Sequence, residues 1–147
     1  MKKDITLKTY EIVALDNWYA GFYENKISEL PISIQWRLAQ NMAVVIKNLS
    51  SFYKFREDLV GKIRQKFFND EKAETVEIDG VEQLKVKEEF LDDYKNEVNK
   101  VNKELEKIGS EENTFTITEI DVDALVDGLP DTSTLTIKDI SMIAVFK

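Results

Sequence analysis

The sequence predicts an α+β fold that is mainly α: a long antiparallel helical hairpin with a β-hairpin at its joint and a small C-terminal strand–helix element. Three observations predict it. Apolar residues recur at helical spacing over 32–68, a second amphipathic segment follows at 87–108, and Asp79-Gly80 separates two short β-type segments. At 147 residues, of which 43% are apolar, the chain has enough material for one domain spanning 1–147.

The N-terminal segment changes its apolar period within a few residues. Ile5 and Leu7 alternate with polar residues, which indicates a short strand. Helical steps of three and four then follow at Ile12, Leu15, Tyr19 and Phe22. This spacing predicts a helix over about 9–25.

The segment from Pro31 to Asp70 has no proline after its first residue and only one glycine, Gly61. Pro31 suits the first turn of a helix, where its missing N–H is no loss. Steps of four and three then continue through Leu38, Met42, Val45, Leu49, Phe52, Arg56, Leu59 and Ile63. The pattern predicts one helix over about 32–68, roughly 50 Å long, with a coiled-coil-like seam that favours self-association.

A β-hairpin over about 75–86 is predicted next, because Asp79 and Gly80 accept the positive φ angles of a type I′ turn. The second helical arm, about 87–108, ends at Gly109. Its apolar stripe is formed by Phe90, Tyr94, Val98, Val101, Leu105 and Ile108. Alternation at Phe115, Ile117 and Ile120 predicts a strand over about 114–120, and the capping-box spacing of Thr136 and Asp139 predicts a short helix over about 136–146.

Several kinds of chemistry are excluded by composition. The chain has no cysteine and no histidine, which excludes disulfides, thiolate nucleophiles, Cys/His zinc sites and histidine acid–base catalysis. Its five glycines are isolated, so no phosphate-binding loop is expected. Asp121, Asp123 and Asp127 cluster, but Leu125 stands where a calcium loop needs its third ligand. We therefore expect no enzyme activity, cofactor or metal; a carboxylate-dependent enzyme is the remaining enzymatic alternative.

Charge is divided unevenly along the chain. Residues 1–68 carry a net charge of +4 and residues 69–147 a net charge of −12, which together give −8. This acidity argues against direct nucleic-acid binding, which needs clustered Lys and Arg. The N-terminus has no apolar segment of the kind a signal peptide needs, and no segment is long and apolar enough to span a membrane. We expect a cytoplasmic protein, in a bacterium or in a host cell.

The candidate partner-binding residues are the acidic side chains around the predicted β-hairpin. An ordered array of carboxylates can bind a basic protein channel by the same attraction that binds phosphates there. The six residues are Asp70, Glu71, Glu74, Glu77, Asp79 and Glu82. The alternative is that the acidic second half only keeps the chain in solution.

The order of segments resembles a family of short uncharacterised proteins encoded by phages and prophages of Gram-positive bacteria. The resemblance rests on "ITLKTYEIVAL", "LPISIQWRLAQNM", "REDLVGKIRQKF", "EEFLDDYKNEVNKVNKEL", "TFTITEID" and "LTIKDISMIAVF". The stretch "NDEKAETVEIDGVEQ" departs from the family in being longer and more acidic. The resemblance implies a phage or prophage setting, with no activity or site residue to carry over.

Two non-enzymatic hypotheses follow. The first is an accessory protein, either an assembly factor or a regulator, that binds a phage or host protein and can also form homo-oligomers. The second is an acidic inhibitor that mimics nucleic acid and blocks a host nucleic-acid-binding or defence enzyme. Salt sensitivity and competition by DNA or RNA separate the two hypotheses, because only the binding of a nucleic-acid mimic would rest mainly on charge.

Overall fold

The computed structural model describes all residues from Met1 to Lys147. Helices make up 62% of the chain and the remaining regular structure is two small antiparallel sheets, so the fold is mixed α+β and mainly α. The sequence predicted one domain over 1–147; the structure has two compact units, which are described separately. Unit 1 comprises Met1–Leu49 and Ser110–Lys147, and unit 2 comprises Ser50–Gly109.

Helices and strands are interspersed along the chain. Four strands are present: β1 (Lys2–Lys8), β2 (Ala73–Ile78), β3 (Val81–Val86) and β4 (Glu112–Thr118). The α-helices are α1 (Thr9–Asn25), α2 (Ile32–Val45), α3 (Leu49–Phe67), α4 (Glu88–Gly109), α5 (Val122–Asp127) and α6 (Ile137–Ile143). Single 3₁₀ turns occur at Ile27–Glu29 and Ala144–Phe146. No helix combines the length and apolar character needed to cross a membrane.

Unit 1 is organised around the antiparallel pairing of β1 with β4. The pairing runs from Lys2 opposite Thr118 to Lys8 opposite Glu112. Strand alternation places Leu7 and Ile117 in the core. The helices complete this core, whose other buried apolar side chains are Ile12, Leu15, Phe22, Leu30, Leu38, Met42, Val45, Leu49, Ile120, Val122, Leu125, Ile143 and Phe146.

A buried amide joins α2 to the end of β4. The Asn41 Nδ2 donates to the Thr118 carbonyl oxygen at 2.8 Å, and the Asn41 Oδ1 accepts from the Thr118 N–H at 2.9 Å. Asn41 is only 2% exposed, yet both of its polar atoms have partners. This two-way bond fixes the helix against the strand where the ladder ends.

The prediction of one helix over 32–68 is wrong. Helix α2 ends at Val45 and α3 begins at Leu49, with a three-residue turn between them in which the Leu49 N–H donates to the Ile46 carbonyl at 3.0 Å. Asn48 stands immediately before α3, and residue types such as Asn favour helix starts over helix interiors. The turn keeps the four-and-three spacing intact, so the periodicity of the sequence does not reveal it.

Unit 2 consists of the β2–β3 hairpin and the two helices that flank it, α3 and α4. Its buried apolar side chains are Phe67, Ala73 and Val86, which lie where the helices meet the hairpin. The rings of Phe67 and Tyr94 are 5.4 Å apart in an edge-on arrangement. These contacts join the end of α3 to α4 and support the base of the hairpin.

Candidate protein-binding surface

The β2–β3 hairpin has a tight two-residue turn. Asp79 has a φ of 52° and Gly80 a φ of 78°, so both occupy the left-handed region that a type I′ turn requires. The strands pair from Ala73 opposite Val86 to Ile78 opposite Val81. We call residues 70–86 the acidic hairpin, because they contain six carboxylates and two lysines, a net charge of −4.

All six predicted partner-binding residues lie on the acidic hairpin and are exposed: Asp70 and Glu71 before β2, Glu74 and Glu77 on β2, Asp79 in the turn and Glu82 on β3. The turn that carries the first two is shaped by Asn69. Its Oδ1 accepts from the backbone N–H groups of Glu71 and Lys72, at 3.1 and 2.9 Å. The structure therefore brings the six carboxylates onto one element.

The carboxylates are not used to hold the fold together. The ion pairs of the structure join Lys26 to Asp139, Lys66 to Glu97 and Lys147 to Asp123. None of these pairs includes a carboxylate of the acidic hairpin. The hairpin charges are thus available to a ligand without the loss of an ion pair.

Apolar side chains are exposed beside these charges. Ile78 is 47% exposed, Val81 57% and Leu84 58%. Ile78 and Val81 face each other next to the turn, and Leu84 lies opposite Thr75 on the other face of the ladder. Exposed apolar groups rimmed by charge are typical of protein-binding surfaces. The charges here were predicted from the sequence and the apolar residues were not, although Ile78 and Val81 directly flank the turn.

The base of the hairpin is anchored by aromatic and cationic contacts. The Lys72 Nζ lies 5.4 Å from the ring centroid of Phe67 and 5.4 Å from that of Phe90. The Lys87 N–H donates to the Lys72 carbonyl at 2.8 Å, which extends the ladder by one bond. A fixed base and an exposed tip suit presentation of the tip to a partner.

An open cleft of about 300 Å³ lies beside the base of the hairpin. It is lined by Glu74, Lys85, Val86, Glu88 and Leu91. Two carboxylates and one ammonium group face it, so a ligand there would meet mixed charge of net negative sign. The cleft extends the acidic surface toward the start of α4.

In the second acidic cluster, Asp121, Asp123 and Asp127, two of the three carboxylates have structural partners. The Asp121 Oδ1 accepts from the Ala124 N–H at 3.0 Å and caps α5, and the Asp123 Oδ2 lies 3.5 Å from the Lys147 Nζ. No group of three or more acidic side chains is arranged to hold a metal ion. These carboxylates cap and flank the six-residue helix α5.

The carboxylate of Asp139, in unit 1, accepts several hydrogen bonds. Burial alone would raise its pKa, but hydrogen bonds from the Thr136 N–H, the Trp18 Nε1, the Lys26 Nζ and the Thr136 hydroxyl lower the pKa from 3.8 to about 2. The Trp18 and Lys26 bonds are each 2.9 Å long. The capping box of Thr136 and Asp139 is present as the spacing predicts, whereas its bonds to α1 were not visible from the sequence.

The loop that precedes Thr136 is held at a second point by Glu29. Its carboxylate accepts hydrogen bonds from the hydroxyl and the N–H of Thr134 and from the hydroxyl of Ser133. These bonds, together with the positive charge of Lys26, hold the pKa of this carboxyl below its usual value. Burial and the nearby Tyr23 raise the pKa of Tyr19. No buried side-chain nitrogen or oxygen lacks a hydrogen-bond partner. The bonds of Asp139 with Trp18 and Lys26, and of Thr134 with Glu29, join the C-terminal segment to α1 and the turn after it.

Comparisons with protein-family models, with curated proteins and with solved structures found no match to this chain.

Proposed function

We propose that this chain is a non-enzymatic accessory protein, of a phage or prophage, that binds a protein partner through the acidic hairpin. The observation that carries the proposal is the coincidence of six exposed carboxylates with exposed Ile78, Val81 and Leu84 on one two-stranded element. The phage or prophage setting rests on the sequence resemblance.

The hairpin offers two kinds of contact to a protein. Its sheet has two strands, so each strand keeps an outer row of backbone N–H and C=O groups that can pair with a strand of another chain. Its apolar side chains can enter pockets of that chain, while the carboxylates select a basic rim. A small element can therefore supply affinity and selectivity together.

We also propose the finer architecture that presents the hairpin: α3 and α4 form an antiparallel helical hairpin with β2 and β3 at its joint. The Ala73–Val86 pair supports it, because this pair closes the ladder between the end of α3 and the start of α4. The 3.2 Å ion pair between Lys66 and Glu97 supports it further.

A second candidate function is inhibition by nucleic-acid mimicry. Glu77 and Glu82 lie directly opposite each other near the tip, where like charges oppose strand pairing. A basic channel built for phosphates would relieve that repulsion and bind the hairpin. The bound protein would then be a nucleic-acid-binding or defence enzyme of the host.

A pull-down tests both functions with matched variants. The tagged protein is incubated with lysates of phage-infected and uninfected cells and washed at low and high salt, with and without DNA. The apolar variant combines Ile78→Ser and Val81→Ser; the charge variant combines Glu77→Gln and Glu82→Gln. A control combines Asp93→Asn and Glu104→Gln, which removes two exposed charges from α4 of the same unit.

The two functions predict different patterns. An accessory protein retains its partner through high salt and loses it in the apolar variant. A mimic retains a host enzyme only at low salt, loses it to DNA and loses it in the charge variant. Equal retention by the wild type and both hairpin variants would refute the acidic hairpin as the binding surface.

A further inference from the structure

Helix α3 carries an apolar face that the chain covers only in part. Six large apolar side chains recur at helical steps along it: Phe52, Phe55, Leu59, Val60, Ile63 and Phe67. Phe67 is buried, and Phe52, Leu59 and Ile63 at the centre of the stripe are half-buried. Phe55 and Val60, at its two edges, are 45% and 41% exposed. A partly covered stripe with exposed edges leaves apolar surface for a further contact.

Helix α4 repeats the same feature. Its stripe of six side chains is half-buried throughout and contains no buried member: Phe90, Tyr94, Val98, Val101, Leu105 and Ile108. A helix that packs fully against a core buries the centre of its apolar stripe. Both long helices of unit 2 therefore keep apolar surface for a further layer.

The two helices carry opposite charge. Helix α3 has five Lys or Arg against two Asp or Glu, a net charge of +3. Helix α4 has four Lys against seven Asp or Glu, a net charge of −3. Within the chain this complementarity is realised in the ion pair of Lys66 with Glu97.

We propose that a second copy of this chain covers the seam. Two α3–α4 pairs pack around a twofold axis as four helices, and each α3 lies against the α4 of the partner copy. Charge selects this arrangement, because α3 against α3 would oppose two basic helices and α4 against α4 two acidic ones. The helices have 19 and 22 residues, about 28 and 33 Å, so their lengths match.

The interface is separate from the acidic hairpin, so it stands or falls independently of the function proposed above. It is isologous, as expected for a homodimer, and each substitution acts in both copies. It also places on α3 and α4 the self-association that the apolar spacing predicts.

Sedimentation velocity of the full chain over a wide concentration range tests the proposal. The wild type is expected to reach twice the 17.0 kDa of one chain. The variant Phe55→Ser with Val60→Ser is expected to raise the dimer dissociation constant roughly tenfold or more, because apolar side chains leave the interface in both copies. The control Val81→Ser with Leu84→Ser removes two still more exposed apolar side chains from the hairpin and is expected to leave dimerisation unchanged.

A second variant keeps every apolar contact. Lys62→Glu with Arg64→Glu changes the net charge of α3 from +3 to −1 and is expected to weaken the dimer. The control Lys2→Glu with Lys138→Glu makes the same charge change in unit 1 and is expected to leave the dimer unchanged. A monomer at every concentration, or equal weakening by a variant and its control, would overturn the proposal.

Discussion

Glu77 and Glu82 lie directly opposite each other in the antiparallel pairing of β2 with β3. Both are exposed, and neither belongs to an ion pair. Opposed like charges destabilise a strand pair, so these carboxylates reduce the stability of the element that carries them. The proposed function gives this pair a role, because a basic partner would relieve the repulsion between the two carboxylates.

Removing this repulsion should stabilise the protein. Glu77→Thr is expected to raise the free energy of unfolding by about 0.2–1 kcal/mol, because it removes the repulsion and favours the strand. Urea unfolding measures the change. The matched control is Glu74→Thr on the same strand, which removes a carboxylate opposite Lys85 rather than opposite another carboxylate. A gain in the control equal to that of Glu77→Thr would contradict the argument.

Two glycines should respond in opposite directions to alanine. Gly80 has a φ of 78°, so Gly80→Ala is strained and is expected to lower the free energy of unfolding by about 1–2 kcal/mol. Gly61 lies within α3, and a Cβ added there meets no atom within 4 Å. Gly61→Ala is expected to raise the free energy of unfolding by about 0.5–1 kcal/mol. Thermal unfolding of both variants measures the contrast, and a stabilising Gly80→Ala would show that the turn is not of type I′.

The network around Asp139 predicts a dependence of stability on pH. The folded-state pKa of about 2 lies below the ordinary value of 3.8. The native carboxylate therefore contributes about 2 kcal/mol at neutral pH, fully above the unfolded pKa and progressively lost as the pH falls through the folded pKa. Asp139→Asn should lower the free energy of unfolding by about that amount at neutral pH.

Urea unfolding at several pH values checks this prediction. The difference between wild type and Asp139→Asn should shrink as the pH falls toward 2, the folded-state pKa. Asp131→Asn is the control, because Asp131 is exposed in the loop that precedes Thr136. A difference that stays constant with pH would mean that Asp139 acts through shape and not through charge.

The buried Asn41 gives a further prediction. Asn41→Leu keeps the branching at Cγ but adds volume and removes the partner of both backbone groups of Thr118, and each part-buried group left unpaired costs about 1–3 kcal/mol. We expect a loss of this size in the free energy of unfolding. Gln40→Leu alters an exposed neighbour on α2 and should change stability by less than about 0.5 kcal/mol. Equal losses in the two variants would show that the amide bonds contribute nothing specific.

Local signals in the sequence are strong where one short segment determines the structure. The Asp79-Gly80 turn needs two adjacent residues with positive φ, and the capping box needs two residues three apart. The six carboxylates could be selected because they are close together in sequence and flank that turn. Features of this kind depend on few residues and are visible without the rest of the fold.

Long-range features could not be predicted in this way. The pairing of β1 with β4 joins strands from the two ends of the chain, and the bond from Trp18 to Asp139 spans 121 positions. Apolar periodicity carries no information on which strand meets which. It also continued through the turn at Ile46–Asn48, because a three-residue break preserved the spacing from Val45 to Leu49.

Photocrosslinking at the hairpin tip tests the central claim most directly. A photoreactive amino acid replaces Val81, which is 57% exposed, in a host strain carrying the phage, and a control places it at exposed Glu24 in unit 1. We predict a covalent adduct with a protein other than this chain from position 81, absent from position 24 and lost when Ile78→Ser is added. Adducts from position 24 alone, or none from position 81 beyond a second copy of the chain, would contradict the account.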